Sequence, residues 1–199
     1  SSVWTLVSPG LYQRVLKAST NTGTVVLAGT VSGVTVNDTA TVVLTVGPPS
    51  QITVAAGQNQ TTTVGTDVTT ALQVNVYDAQ NRLLDGIAVD YAVASGGGSI
   101  VGSSTNTVNG LATLGAWTLG QTAGVNTVTV AVNGYPLLQQ TFTATGIVDV
   151  PAFLNVSSGQ SQTGVVNNLV GDDLVVNVTD QYGNVLSGVT VTYAVAGGN

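Results

Sequence analysis

The chain has 199 residues, room for two ordinary domains, since single cores span about 100 to 150 residues. Its only bases are Arg14, Lys17 and Arg82, set against nine acids that are all aspartate, and it has neither cysteine nor histidine. A net charge of −6 speaks against a phosphate-binding nucleic-acid surface and against an anionic membrane; the missing cysteine and histidine exclude disulfide staples, zinc centres and the common nucleophile triads.

The first 48 residues open without a starting methionine or a signal-peptide pattern, so a mature fragment or excised piece is expected. The mean hydropathy is positive, but polar residues interrupt even "TVVLAGTVSGVTV", and no run is long enough for a membrane helix. Aromatic residues make up 5% of the chain, too few for the interfacial girdles of a transmembrane β-barrel. The tripeptide "WTL" occurs at residues 4–6 and again at 117–119, and "GPPS" at 47–50 reads as a stiff linker.

From there apolar residues recur with period two, and no stretch shows the spacing of a helix. Strands are predicted over Ile52–Ala56, Ala71–Tyr77 (Leu72, Val74 and Val76 on one face), Gly86–Ala94 (Ile87, Val89, Tyr91 and Val93 inward), Leu111–Leu119 with Trp117, Gly124–Val132 (Val128, Val130 and Val132 inward) and Leu137–Thr145. Asp78–Asp85 is predicted as a turn, with Asp78 accepting turn N–H groups. The run "SGGGS" after Ala94 ends a strand with glycines that tolerate positive φ, and lacks the lysine and helix of a phosphate loop. About seven strands in roughly 100 residues is the pattern of an immunoglobulin-like sandwich.

Shifting the chain by 102 positions aligns Pro49–Gly97 with Pro151–Asn199 without a gap, with about 21 of 49 positions identical. Leu72 falls on Leu174, Asp78 on Asp180, Gly86 on Gly188 and Tyr91 on Tyr193. The expected class is therefore all-β: tandem immunoglobulin-like β-sandwich domains, cut inside a domain at both ends. Residues 1–48 are read as the C-terminal part of one domain, 49–147 as a complete domain, and 148–199 as the N-terminal part of a third. Trp4 is matched to Trp117, with an extra hairpin in the first unit to account for its longer run to the linker.

The runs "VNVYDAQNRLLDGIAVDYAV" and "NGLATLGAWTLGQTAGVNTVTV" resemble the bacterial immunoglobulin-like repeats of invasin- and intimin-type surface proteins. In that family an aspartate and a Gly-Asn turn precede a Gly-Val strand, and a "WTLG…AG.NT" segment follows. The third unit keeps "DQYGNVLSGVTV", whereas the second carries Asn81-Arg82 where Gly-Asn is usual. The resemblance implies a tandem surface array.

Few residues here can do chemistry, and no catalytic, cofactor or metal residue is predicted. Asp172 and Asp173 are expected as solvated loop acids before Leu174, because neighbouring strand side chains point to opposite faces. Calcium at domain junctions would stiffen an array; Asp149 lies in the linker "GIVDVPA", and Asp67, Asp85 or Asp172 are the loop acids that could approach it, without an acidic loop of EF-hand spacing. Trp117 reads as core rather than a sugar platform. The sequons at Asn37, Asn59, Asn155 and Asn177 are close to the number chance supplies and are no evidence of glycosylation, and an isopeptide bond from Lys17 to an asparagine would show as an intact mass low by one ammonia.

The function expected is non-enzymatic and structural: a stalk or fibre segment of a bacterial cell-surface adhesin-like protein or extracellular filament. Its partners would be neighbouring immunoglobulin-like domains of the same array or of the next subunit, with no nucleic acid and no membrane insertion. A phage decoration or tail-fibre domain is one alternative; a carbohydrate- or receptor-binding module using the loop Ser103–Gly110 is another. Half-sandwiches expose apolar faces and strand edges, so each half is expected to be completed. Joining the two halves of different subunits would leave about sixteen residues, Gly98–Thr113, unaccounted for, which favours completion within a longer chain.

Overall fold

A computed structural model describes residues 5–13, 15–19, 21–35 and 38–198, so Trp4, Arg14 and Asn37 lie outside it. The described residues form strands and turns without a helix. A first hairpin joins β1 (Thr5–Ser8) to β2 (Leu11–Gln13). A second pairs β3 (Gly23–Leu27) with β6 (Ala40–Leu44), its tip folded into β4 (Thr30–Val31) and β5 (Val34–Thr35). The match of Trp4 to Trp117 itself lies outside the described residues.

Residues 49–147 contain ten of the strands. β7 (Pro49–Ala56), β9 (Gln73–Asp78) and β13 (Leu111–Thr113) make a three-stranded sheet in the order β13-β9-β7. Against it stands a five-stranded sheet of β12 (Ser104–Asn106), β10 (Ala88–Ser95), β15 (Gly124–Val132), β16 (Tyr135–Ile147) and β8 (Gln60–Thr63). β8 runs parallel to the end of β16, from Gln60 opposite Ala144 to Thr63 opposite Ile147, while the other pairings are antiparallel. A ribbon of β11 (Ser99–Val101) and β14 (Ala116–Thr118) completes the set.

Alternation selects the core. Leu72, Val74, Val76, Val89, Tyr91, Val128, Val130 and Val132 are buried together with Trp117, Leu119 and Phe142, and Ile87 and Val93 pack against them, as period-two patterning requires when each sheet has one inward face. The predicted strand Leu111–Leu119 divides in two. Leu114 donates its N–H to the Leu72 carbonyl, and one residue later Gly115 donates to Val101 on the β11 ribbon. A Cβ at Gly115 would lie 2.9 Å from the Val101 oxygen, so the crossing between sheets needs glycine there. Strand β8, a polar Gln-Thr-Thr-Thr run, does not stand out by alternation and is an addition to the predicted set.

Past residue 147 the repeat reappears in register. β17 (Phe153–Ser158) pairs with β18 (Val175–Thr179) as β7 pairs with β9, including the irregularity between Val156 and Ser158 that mirrors Val54 and Ala56. Equivalent residues differ in burial: Leu72 is 0% exposed and Leu174 57%, Tyr91 3% and Tyr193 57%. Among the described residues no second sheet covers this face, and residues 190–197, the counterpart of β10, are not in a strand.

Candidate functional site

The residues with unusual environments gather where the central sandwich meets the repeat that follows. Equivalent turns stand at the start of the central unit and at the start of the unit that follows, and each begins at a buried aspartate. Asp78 Oδ1 accepts the N–H groups of Gln80 (2.9 Å) and Arg82 (3.0 Å). Its Oδ2 accepts the N–H of Gly47 in the preceding linker (3.2 Å) and the Arg82 guanidinium at Nε (2.8 Å) and at the second terminal nitrogen (2.7 Å). Asp180 repeats the pattern with Tyr182 N–H (2.9 Å), Asn184 N–H (2.8 Å) and the linker N–H of Asp149 (3.1 Å), and takes the Asn184 side-chain amide at 2.8 Å in place of the guanidinium. Burial alone would raise both carboxyl pKa values, but these donors outweigh it and hold both below the ordinary range. The predicted turn-capping role of Asp78 is present, and the link to the upstream linker is an addition that sequence reasoning missed.

Asn81 does not disturb the turn it occupies. It takes the left-handed conformation at φ 58°, as Gly183 does at φ 87°, and both donate their N–H to the aspartate carbonyl three residues back, at 3.0 and 3.1 Å. Asparagine tolerates this region better than most residues.

The other side of the junction is a floor of glycines on the central sandwich. Asn126, fully buried on β15, accepts the Gly120 N–H at 3.0 Å and donates to the Gly124 carbonyl at 3.2 Å, closing the turn that follows "WTL". A Cβ at Gly120 would fall 1.8 Å from the Gly96 carbonyl oxygen, and one at Gly98 would fall 2.2 Å from that of Thr118. Side chains are thus excluded, and the backbone segments 96–98 and 120–122 line an open cleft of about 440 Å³ that also receives Tyr182 and Gly65.

Onto this floor the third unit lowers one turn. The Asn184 side chain donates Nδ2–H to the Gln121 carbonyl (2.8 Å) and accepts the Ala123 N–H at Oδ1 (2.9 Å), pairing with the loop as a strand would. Tyr182 stands over Gly65, whose missing Cβ would lie 2.6 Å from the tyrosine oxygen. The "WTLG…AG.N" segment therefore has two tasks, since Trp117 and Leu119 fill the core while the glycines after them meet the next unit.

The remaining aspartates are dispersed. Asp67 accepts from the Thr118 hydroxyl, Asp85 from the Asn109 N–H at 2.6 Å, and Asp149 from Gln181 at 2.8 Å, while the Asp172 N–H is held by Gln162. Asp172 and Asp173 lie outside the strands, before Leu174. Among the described residues no three acids, histidines or cysteines stand close enough to share a metal ion. Within Ser103–Gly110, Ser104–Asn106 form an edge strand, and Thr107 is buried, with its hydroxyl donating to Leu84 and accepting from Ile87 N–H. Lys17 is exposed in an irregular stretch.

A further repeated device is a glutamine buckle. Gln60 bridges the Gly57 and Thr70 carbonyls and the Thr70 N–H at 2.9, 2.7 and 2.8 Å. Gln162 does the same with Gly159 and Asp172 at 2.9, 2.7 and 2.7 Å. The identical "GQ.QT" in both copies was the signal that could have revealed it.

No family model and no curated protein matches the chain. Solved structures do. The Escherichia coli adhesin FdeC is similar over 94% of this chain and 60% of its own, at 19% identity and a TM-score of 0.55. InvD of Yersinia pseudotuberculosis is similar over 94% and 58%, at 16% identity and a TM-score of 0.51. Invasin, described as a bacterial integrin-binding protein, is similar over 90% and 36%, at 18% identity and a TM-score of 0.54. The chain thus spans less than two thirds of each of these structures. Its sheets, register and turns give it the all-β, immunoglobulin-like fold of the domains in these bacterial adhesins.

Proposed function

We propose that the chain is a spacer: a tandem-repeat segment in the stalk or fibre of a bacterial cell-surface adhesin-like protein or extracellular filament, with no reaction of its own. In this reading 49–147 is one complete domain, and 1–48 and 148–199 are parts of its neighbours. The observation that carries it is the stitched junction, where Asp180 holds the linker at Asp149 and Asn184 pairs with Gln121 and Ala123. A loose tether between independent modules needs no such pairing; an array that must keep its direction does. The apolar residues left open on β17 and β18, with Phe153 and Leu154 both 56% exposed, fit a face that further sheet covers in the intact array.

Neighbouring domains are then the principal partners, and the location is extracellular or cell-surface, which the polar, weakly charged composition suits. Among the described residues no helix is long and apolar enough to cross a membrane.

The test is deletion of residues 49–150, one whole period, from the surface-displayed parent protein. The distance of a distal epitope from the cell surface, measured by immunogold microscopy, should shorten by about one sandwich length, on the order of 20–40 Å, while binding by the distal end persists. Loss of binding that another inserted unit of equal length fails to restore would show that this segment carries the binding surface, and would overturn the spacer reading.

A further inference from the structure

The two copies of the aspartate turn share their backbone and differ in the side chains that face the preceding unit. Both aspartates accept the N–H groups two and four residues on, and both hold a linker N–H. At the second of these positions Gln80 stands where Tyr182 does, and at the fourth Arg82 stands where Asn184 does. The floor differs between copies as well. Gly65, over which Tyr182 stands, corresponds to Asn167, which keeps the same left-handed backbone at φ 66° but carries a side chain where the central unit has none.

We infer that the glycine floor of the central unit selects its neighbour, accepting a following domain whose turn reads Asp-x-Tyr-Gly-Asn and rejecting one with the Asp-x-Gln-Asn-Arg of residues 78–82. The order of units in the array is then written at their junctions, in Tyr182, Asn184 and Gly65. This rests on the reading of the chain as consecutive units of one array.

The chemistry is that of complementary donors and acceptors. The loop offers one carbonyl, at Gln121, and one N–H, at Ala123, and only a side chain with both a donor and an acceptor at amide spacing satisfies the two together. Asparagine at 184 has that pair, and its Nδ2 is further steadied by Asp180 at 2.8 Å. A guanidinium has donors and no acceptor, so arginine at 184 leaves the Ala123 N–H without its partner. Its charge is also attracted to the turn aspartate, as Arg82 is held on Asp78 at 2.7 Å. At the tyrosine position the floor is bare backbone, and Gly65 admits the tyrosine hydroxyl, which a Cβ at 65 would meet at 2.6 Å. Specificity here arises from an unpaired group and a steric block in the wrong pair, rather than from stronger attraction in the right one.

The test is made in the whole chain by NMR. In the double variant Tyr182→Gln, Asn184→Arg the third unit carries the second unit's residues at the two positions that differ toward the floor. The Ala123 amide should lose protection from hydrogen exchange by about tenfold or more, and the amides of β15 and β18 should no longer fit one common alignment tensor, while β17–β18 amides stay protected. Gly65→Asn gives an independent arm, because asparagine accepts the left-handed backbone there and only its side chain obstructs Tyr182; the same two losses are expected. Unchanged Ala123 protection and a single tensor in both variants would overturn neighbour selection while leaving the array intact. Independent alignment of the two units in the unmodified chain would overturn the array reading and the inference with it.

Discussion

Replacing Asn126 by alanine probes whether one buried amide holds the floor. Truncation strips the Gly120 N–H of its acceptor at 3.0 Å and the Gly124 carbonyl of its donor at 3.2 Å. Leaving a buried donor unmade costs about 1–3 kcal/mol. The void left where Asn126 meets Gly96 adds a packing term, since the site is fully buried, and the total is about 2–4 kcal/mol. In a Trp4→Phe background, Trp117, 1% exposed, is the sole indole and its fluorescence follows the central sandwich. With a urea dependence of about 1–3 kcal/mol per molar for a domain of this size, the midpoint should fall by about 1–2 M. A fall of less than about 0.3 M would refute the reasoning, because it would mean that Gly120 finds another partner without cost.

Gly98→Ala combines positive φ (+83°) with a Cβ placed 2.2 Å from the Thr118 oxygen, and should lower the same midpoint further than Asn126→Ala or prevent folding; a neutral result would contradict the floor geometry. Gln60→Ala removes four hydrogen bonds at a half-exposed site and should cost the central unit about 1–2 kcal/mol by the same titration. On the acid side, Asp78 and Asp180 have folded pKa values held below the ordinary carboxylate range by their N–H donors. Their contribution is complete above the unfolded value and declines as pH falls below about 4, so Asp78→Asn should flatten the acid limb of a stability–pH curve. On the alkaline side, burial pushes Tyr91 up to about 12 from 10.0. Stability should decline from pH 10 toward 12, and Tyr91→Phe should remove that dependence.

The sheets were legible because valine and leucine alternate along β9, β10 and β15, and a core with one inward face per sheet cannot be built otherwise. The repeat made the second copy legible by arithmetic, down to the irregularity in β17. What stayed hidden depends on contacts between distant segments. Gly115 reads as a minor interruption until the Val101 carbonyl is found beside it, and β8 is a run of threonines whose strand is defined by its partner, β16. The junction shows the same limit. The difference between Asn81-Arg82 and Gly183-Asn184 is visible in the sequence, but its meaning lies in Gln121 and Ala123, about sixty residues away, and no local pattern points to them.

The short parallel ladder between β8 and the end of β16 governs how a unit would respond to tension. The chain enters at Pro49, and β8 runs away from that entry; it leaves beyond Ile147, in the direction β16 travels. Traction on the two ends drags these strands past each other along their length, so the rungs from Gln60–Ala144 to Thr63–Ile147 must rupture together instead of unzipping one by one. A short set of modest bonds in that geometry would act as a mechanical fuse, holding the sandwich shut until the pull exceeds what the whole set can bear.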